Sequence, residues 1–452
     1  MIKTLPFLLI LSLMIGCGGY KMAVVKNELA TGQPEKAYDH LQKNAPKEPK
    51  LPFLFELGQT ARYANRLTES SAALAKAEEI AEDLYTTDVT DELISIFTND
   101  LARSYPGTQY ERLLNHYYRA LNYYYQNQLD GALVECRRAT ALINYFKRVD
   151  EKYDFFGAAF LAYFSGMLFE AAGEWNDALI SYKQAAEYYK NAAEKTGVNT
   201  PEDIGHALLR LTNRFGFTDE FERYRDQYGE PPEHSENYGE LILFYESGYV
   251  PEKREANLTF PIFKSDPIAK GKRDKESTKA FAWTLLGREG KPYSQIELEY
   301  LIHVAIPTMH SNRPYFTGIE VQVDTTSANG VLAEDVEKIA IATLESGRGV
   351  MLLRTLIRAL GKYWAFREVN ERNRILGIIV NLFGVATEQA DTRSWQTLPN
   401  QIFMVRMPLP AGTHTLNLSF LDANGRVRGS QSVPDIKINP NQITFWNHRT
   451  YE

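Results

Sequence analysis

The chain has 452 residues, of which 44% are hydrophobic, 24% charged and 12% aromatic. That composition excludes a disordered, collagen-like or many-times membrane-spanning protein. A formal charge of −7 gives nucleic acid no footing as the default partner, and two cysteines exclude a disulfide-stapled scaffold or a cysteine-rich metal site.

The first seventeen residues read MIKTLPFLLILSLMIGC. One lysine, Lys3, precedes an apolar run over 5–15, and Gly16 stands directly before Cys17. The run is too short to cross about 30 Å of hydrocarbon but suits the core of a signal peptide. Met14-Ile15-Gly16-Cys17 looks like a bacterial lipobox, with Met14 where leucine is more usual. Residues 1–16 are then a signal peptide and Cys17 becomes an acylated N-terminus, which anchors a soluble body without a spanning helix. The alternative is an ordinary secretory signal that happens to hold a cysteine. By resemblance to lipoproteins of two-membrane envelopes, Gly18 and Gly19 without a following aspartate favour the outer membrane and a periplasmic body. Cys136, flanked at helical spacing by Ala132 and Ala139, is expected to be a packed small residue and not a nucleophile.

Residues 17–245 form the expected lipid-anchored helical domain. Its clearest unit is 162–185, where Gly166, Phe169, Gly173, Ala178, Tyr182 and Ala185 fit the small/large packing pattern of a tetratricopeptide repeat. Gly166 and Ala178 let two antiparallel helices approach, Gly173 sits at their turn, and Phe169 and Tyr182 fill the contact. Ala120, Tyr123, Asn127, Ala132, Cys136 and Ala139 repeat the pattern; Gly58, Ala61, Asn65, Ser70, Leu74 and Ala77 follow it less closely. Gly32, Ala37 and Leu41 read as half of another unit, and 201–228 is helical with a weaker likeness. Uneven turn spacing makes the array irregular. Tyr117, Tyr118, Tyr123, Tyr124 and Tyr125 are too many for one inward helix face. Most are expected in the core, while Tyr124 and Tyr125 are candidates for a concave partner-binding surface.

Residues 246–290 read as a junction. It holds an extended run over 258–263 and a basic stretch with Lys264, Lys270, Lys272, Arg273, Lys275 and Lys279. The stretch is a solvated loop, a grip on anionic lipid or glycan, or a cover over the junction. Residues 291–452 form the expected C-terminal α+β domain. Strands are expected over 295–306 and 318–323, then a helix over 333–344 and a second over 350–369. The apolar run 375–386 is too short to span a bilayer at about 1.5 Å per residue, so it is buried between layers or touches membrane or a partner. Strands follow over 401–407, 414–420 and 426–432, the last two joined at Asn424-Gly425, with further ones over 435–438 and 443–446. The fold class is therefore mainly α: an irregular tetratricopeptide-like array followed by an α+β domain with a small antiparallel sheet or sandwich.

Catalytic motifs for phosphate loops, zinc proteases, nucleophile elbows and dinucleotide folds are absent from the sequence. Gly347-Arg348-Gly349 reads as a helix start, either one whose amides face an anion or, more simply, a plain turn. His303 in a strand and His310 in a turn have no carboxylate or second histidine at ligand spacing. No catalytic residue, metal or cofactor is expected. In the segment DTRSWQTLP, 391–399, Arg393 and Trp395 either pack across a junction or face a partner.

With the Cys17 lipobox, the repeat over 162–185, the Gly347-Arg348-Gly349 helix and the 391–399 segment, the chain resembles a family of bacterial lipoproteins with N-terminal tetratricopeptide-like repeats and a C-terminal domain. That family is found near lipoproteins that activate penicillin-binding proteins. The resemblance implies envelope or peptidoglycan-associated assembly and carries no catalytic residues. The expected function is a non-enzymatic adaptor on the periplasmic face of the outer membrane, with an envelope protein as partner and no nucleic acid. The alternatives are a subunit of a secretion or polysaccharide-export system and a glycan-binding or hydrolysing cell-wall enzyme.

Overall fold

The computed structural model describes residues 20–87, 104–150, 153–230, 237–263, 266, 298–311, 313–372 and 389–452. The signal peptide, Cys17, the basic stretch from Lys264 and the apolar run 375–386 lie outside them.

Ten helices form five antiparallel hairpins: α1 (Met22–Ala30) with α2 (Pro34–Lys43), α3 (Leu51–Tyr63) with α4 (Leu67–Thr87), α5 (Gln109–Tyr125) with α6 (Leu129–Val149), α7 (Ala158–Ala171) with α8 (Trp175–Thr196), and α9 (Glu202–Phe215) with α10 (Thr218–Tyr228). All five turns share one geometry. Gly32, Asn65, Asn127, Gly173 and Gly216 sit at φ between 56° and 76°. In each turn the next residue donates its N–H to the carbonyl five positions back: Gln33 to Glu28, Arg66 to Ala61, Gln128 to Tyr123, Glu174 to Phe169 and Phe217 to Thr212. This closes the helix end with a left-handed residue, which is why only Gly and Asn occupy it.

The hairpins pack as the small/large pattern requires. A Cβ on Gly58 would lie 2.6 Å from Leu74, and one on Gly166 would lie 2.9 Å from the Tyr182 ring. Ala120 and Cys136 hold the corresponding places in the middle hairpin, both buried. Phe169 and Ala178 are buried in the same core. The last hairpin, whose sequence likeness is weak, still brings α9 against α10, with Gly205 directly under Tyr228.

The C-terminal half is mixed α/β with small sheets. One sheet runs β10 (Ile443–Thr450), β1 (Tyr238–Ser247), β7 (Gln401–Pro410), β6 (Val331–Asp335); another runs β5 (Thr326–Asn329), β4 (Gly318–Val323), β8 (Gly412–Leu421), β9 (Val427–Ile438). The first is not purely antiparallel, because β1 and β10 run parallel. It lies between the helices and the second sheet: Ile242, Phe244, Met404 and Phe445 pack on the helices, while Leu241, Leu243, Phe403 and Val405 pack on β4 and β8. A strand covered on both faces reads as a continuous apolar run without alternation. That is why 240–245, placed with the helices by sequence, is instead a central strand. The helical array ends at Tyr228, and one hydrophobic core runs through array and sheet.

The expected pair of helices after β6 is a single 37-residue helix, α11 (Val336–Arg372). Its first turns, with Val336, Ile339 and Ala340, join the main core. Leu356, Ala359, Leu360 and Tyr363 pack instead on the two-stranded ribbon of β2 (Glu252–Phe263) and β3 (Leu298–His310). Residues 345–350 between these contacts are exposed on every side. Gly347-Arg348-Gly349 thus lies inside a helix and not at its start, so its amides belong to the helical ladder and offer no anion site.

Candidate functional site

A stack of helical hairpins presents a concave face on which partners usually lie. Here the chain lays its own sheet against the first helices of its hairpins: Tyr117 of α5 and Phe160 and Phe164 of α7 meet Phe244 of β1. The hydroxyl of Tyr124 accepts the backbone N–H of Phe445 at 3.2 Å, and its ring meets the Phe445 ring edge-on at 4.9 Å. Tyr125 is half-buried, with its ring 5.4 Å from the Arg62 guanidinium. The expectation of an open groove is corrected at Tyr124, which lies against β10 in an internal seam; Tyr125 packs beside it.

Trp395 is at the centre of that seam. It is fully buried, stacked on Phe55 at 4.3 Å with the rings 4° from parallel. Its indole N–H donates to Thr397 Oγ1 at 3.1 Å, and its backbone N–H donates to Glu111 Oε1 at 2.7 Å. Trp395 therefore packs across the junction and does not face a partner. Arg393 grips Asp391 with two bonds of 2.8 Å and lies 5.5 Å over the Tyr105 ring. It also borders a cleft of about 430 Å³ shared with Tyr20, Phe53 and Leu84.

Buried charges tie the layers together, and the sequence reading missed them. Glu56 on α3 accepts the N–H of Gln396 at 2.5 Å and both the N–H and hydroxyl of Thr397, at 3.2 and 2.6 Å. Burial pushes its carboxyl up to about 7, against the pull of those donors and of Lys26. Glu246 on β1 accepts the hydroxyls of Tyr63 and Tyr117, both at 3.3 Å, and the amide of Asn447 at 3.1 Å. Arg449 stands 3.7 Å from Glu246 and donates to the Gly248 carbonyl at 2.5 Å, surrounded by the rings of Tyr63, Tyr249 and Tyr451.

Arg406 on β7 holds the other end. It forks onto Glu240 at 2.6 and 2.8 Å and reaches Glu170 of α7 at 3.2 Å. Glu170 also receives Arg210 at 2.7 Å and the Tyr182 hydroxyl at 2.6 Å. Burial opposes its charge, yet Arg406 and Arg210 prevail and hold its carboxyl down to about 2. A usable signal existed. Glu56 in FLFELG, Glu246 in LFYES and Arg406 in FMVRM are lone charges in apolar runs, and a charge kept in such a place must find a partner.

His303 bonds Thr259 across the ribbon at 3.0 Å, and His310 is exposed at the end of β3. The Cys136 thiol is buried beside Ser165, and burial pushes it up to about 12, far from a nucleophile. Among the described residues no group of three or more His, Cys, Asp or Glu is disposed to hold a metal ion. No helix among them is long and apolar enough to cross a membrane.

No protein-family model matches the chain, and no curated protein matches it. Among solved structures, nearly identical TPR-like repeats from Podosopora anserina align over 46% of this chain and 90% of theirs, at 13% identity and a TM-score of 0.31. BtubC from P. vanneervenii aligns over 47% and 82%, at 13% identity and a TM-score of 0.32. MamA from Desulfovibrio magneticus RS-1 aligns over 46% and 88%, at 10% identity and a TM-score of 0.28. At these scores the description of the fold rests on the chain's own geometry: irregular tetratricopeptide-like hairpins followed by a mixed α/β region.

Proposed function

We propose that the chain is a lipoprotein of the periplasmic face of the outer membrane, acting as a non-enzymatic adaptor in cell-envelope assembly. The observation that carries this reading is the seam. Its buried carboxylates and guanidiniums are spent on one another and on backbone amides, which builds one body from array and sheet. Such a body offers outer surfaces to partners in place of the helix face that its own sheet covers. A specific partner needs about 1,200–2,000 Å² of buried interface in total, and no chemistry.

The lipobox supports the location. Cys17 lies three residues before Tyr20, a reach of at most roughly 11 Å at 3.3–3.6 Å per residue. Tyr20 packs edge-on against Phe53 at 5.1 Å. An acylated Cys17 would therefore hold the helical end of the body close against the bilayer, with no long tether.

Two measurements test the reading. Fractionated envelopes should retain the native chain and release Cys17→Ser into the periplasm; unchanged attachment of the variant overturns the anchor. Crosslinking in intact envelopes, followed by denaturing purification and mass spectrometry, should recover a specific envelope protein such as a cell-wall synthase or a small activator lipoprotein. Recovery of none under several crosslinking chemistries overturns the adaptor.

A further inference from the structure

The open end of the array carries a surface that the seam does not use. A cleft of about 670 Å³ lies where the α7–α8 turn, α9 and the first residues of β1 and β10 meet. Glu170 and Glu240 form part of its lining, but both are already neutralised by Arg406, and Glu170 also by Arg210. Arg214 is different. Its guanidinium lies 4.2 Å above the Trp175 ring and has no carboxylate within ion-pair distance among the described residues. The indole gives the guanidinium a place to rest, and the residue as a whole is exposed.

Directly after Arg214 in sequence the chain exposes aromatic surface. Phe215 is 38% and Phe217 46% exposed, stacked on each other at 5.5 Å across Gly216, while Tyr238 on the cleft wall is 38% exposed. The turn geometry does not require this. The other four turns, built on the same hydrogen bond, place Thr31 and Gln33, Ala64 and Arg66, Gln126 and Gln128, and Ala172 and Glu174 at these two positions. A guanidinium resting on an indole, with no carboxylate partner among the described residues and exposed aromatics directly after it in sequence, matches a carboxylate next to an apolar side chain.

We infer that this end of the array is a docking surface for an acidic, aromatic-bearing peptide segment of a partner protein, with Arg214 taking the carboxylate and Phe215 and Phe217 the apolar side chain. The inference deepens the adaptor reading and rests on it only in taking the ligand to be protein. A random heptapeptide library displayed on phage and panned against the full chain tests it. Enriched peptides should place Asp or Glu beside an aromatic or large aliphatic residue. A synthetic consensus peptide should bind at least tenfold more weakly to Arg214→Gln and to Phe217→Ser. On the unmodified protein, its Asn or Gln counterpart should show the same loss, a readout independent of how the variants fold. Absence of enrichment, equal binding of the uncharged peptide, or binding unchanged by Arg214→Gln overturns the inference. Retention of a neutral oligosaccharide that is lost in Tyr238→Ala also overturns it, in favour of a glycan. If envelope crosslinks to a specific protein persist in Arg214→Gln, the adaptor stands and this surface falls.

Discussion

Glu56 and Thr397 meet across the seam: one carboxylate oxygen of Glu56 takes both the hydroxyl of Thr397, at 2.6 Å, and its backbone N–H, at 3.2 Å. The other oxygen takes the N–H of Gln396 at 2.5 Å. Every neighbour in this set is a donor, so only a group with two acceptor oxygens satisfies them all. Glu56→Gln turns an amide N–H₂ on one of those donors and is expected to cost about 1–3 kcal/mol. Trp395→Ala, which empties the stack on Phe55, is expected to cost about 3–5 kcal/mol. Urea denaturation of both variants checks this; a loss under about 0.5 kcal/mol in either contradicts the seam.

Glycines separate packing from propensity. Gly166 has the Tyr182 ring where a Cβ would go, so Gly166→Ala should destabilise by about 1–3 kcal/mol, and Gly166→Leu by more. Gly347 and Gly349 sit in the exposed middle of α11 with nothing within 4 Å of an added Cβ. Alanine at either should stabilise the helix by up to about 1 kcal/mol. Thermal melts of the three single alanine variants give the signs, and a stabilising Gly166→Ala would remove the hairpin register.

Much of the helical half is legible in the residues. Gly32, Asn65, Asn127 and Gly173 mark real turns because a left-handed helix end restricts the choice of side chain, and Gly58 and Gly166 mark real contacts because close helices exclude a Cβ. The strands 318–323, 414–420 and 443–446 are legible from alternation and turn chemistry. What escapes is long-range. Nothing local to Tyr124 says that Phe445 lies beneath it, so an aromatic cluster reads as an open groove when it is one side of a seam. Residues 240–245 escape for the converse reason: burial on both faces erases the alternation that marks a strand. The long α11 reads as two helices because Gly347 and Gly349 imitate a turn.

Glu334 on β6 sets a pH dependence. It is buried, its Oε2 has no hydrogen-bond partner among the described residues, and burial with the nearby Asp335 pushes its carboxyl from 4.5 up to about 8. A carboxyl raised by folding contributes stability below about 4.5, and that contribution is lost as pH rises through about 8. Glu334→Gln does not titrate. The stability of the native chain relative to this variant should therefore fall steadily between pH 4.5 and 8. A difference that is flat with pH, read from denaturant midpoints at each pH, contradicts the assignment.

Arg406 neutralises two carboxylates at once, at 3% side-chain exposure. Arg406→Ala leaves Glu240 without this partner and Glu170 with Arg210 and the Tyr182 hydroxyl, and should cost about 3–5 kcal/mol. Arg406→Lys, which cannot fork onto Glu240, should recover only part of that. Full recovery in the lysine variant, measured by urea midpoints, would show that charge alone matters there and that the fork does not.

The chain's own sheet covers the face of the array that carries Tyr124. The direct measurement places a benzophenone side chain at position 124 and irradiates intact envelopes. Mass spectrometry of the digest should find crosslinked peptides joining α5 to the strand around Phe445 of the same chain. A dominant adduct at position 124 with a second protein would mean that the groove is open to partners, and would contradict the account.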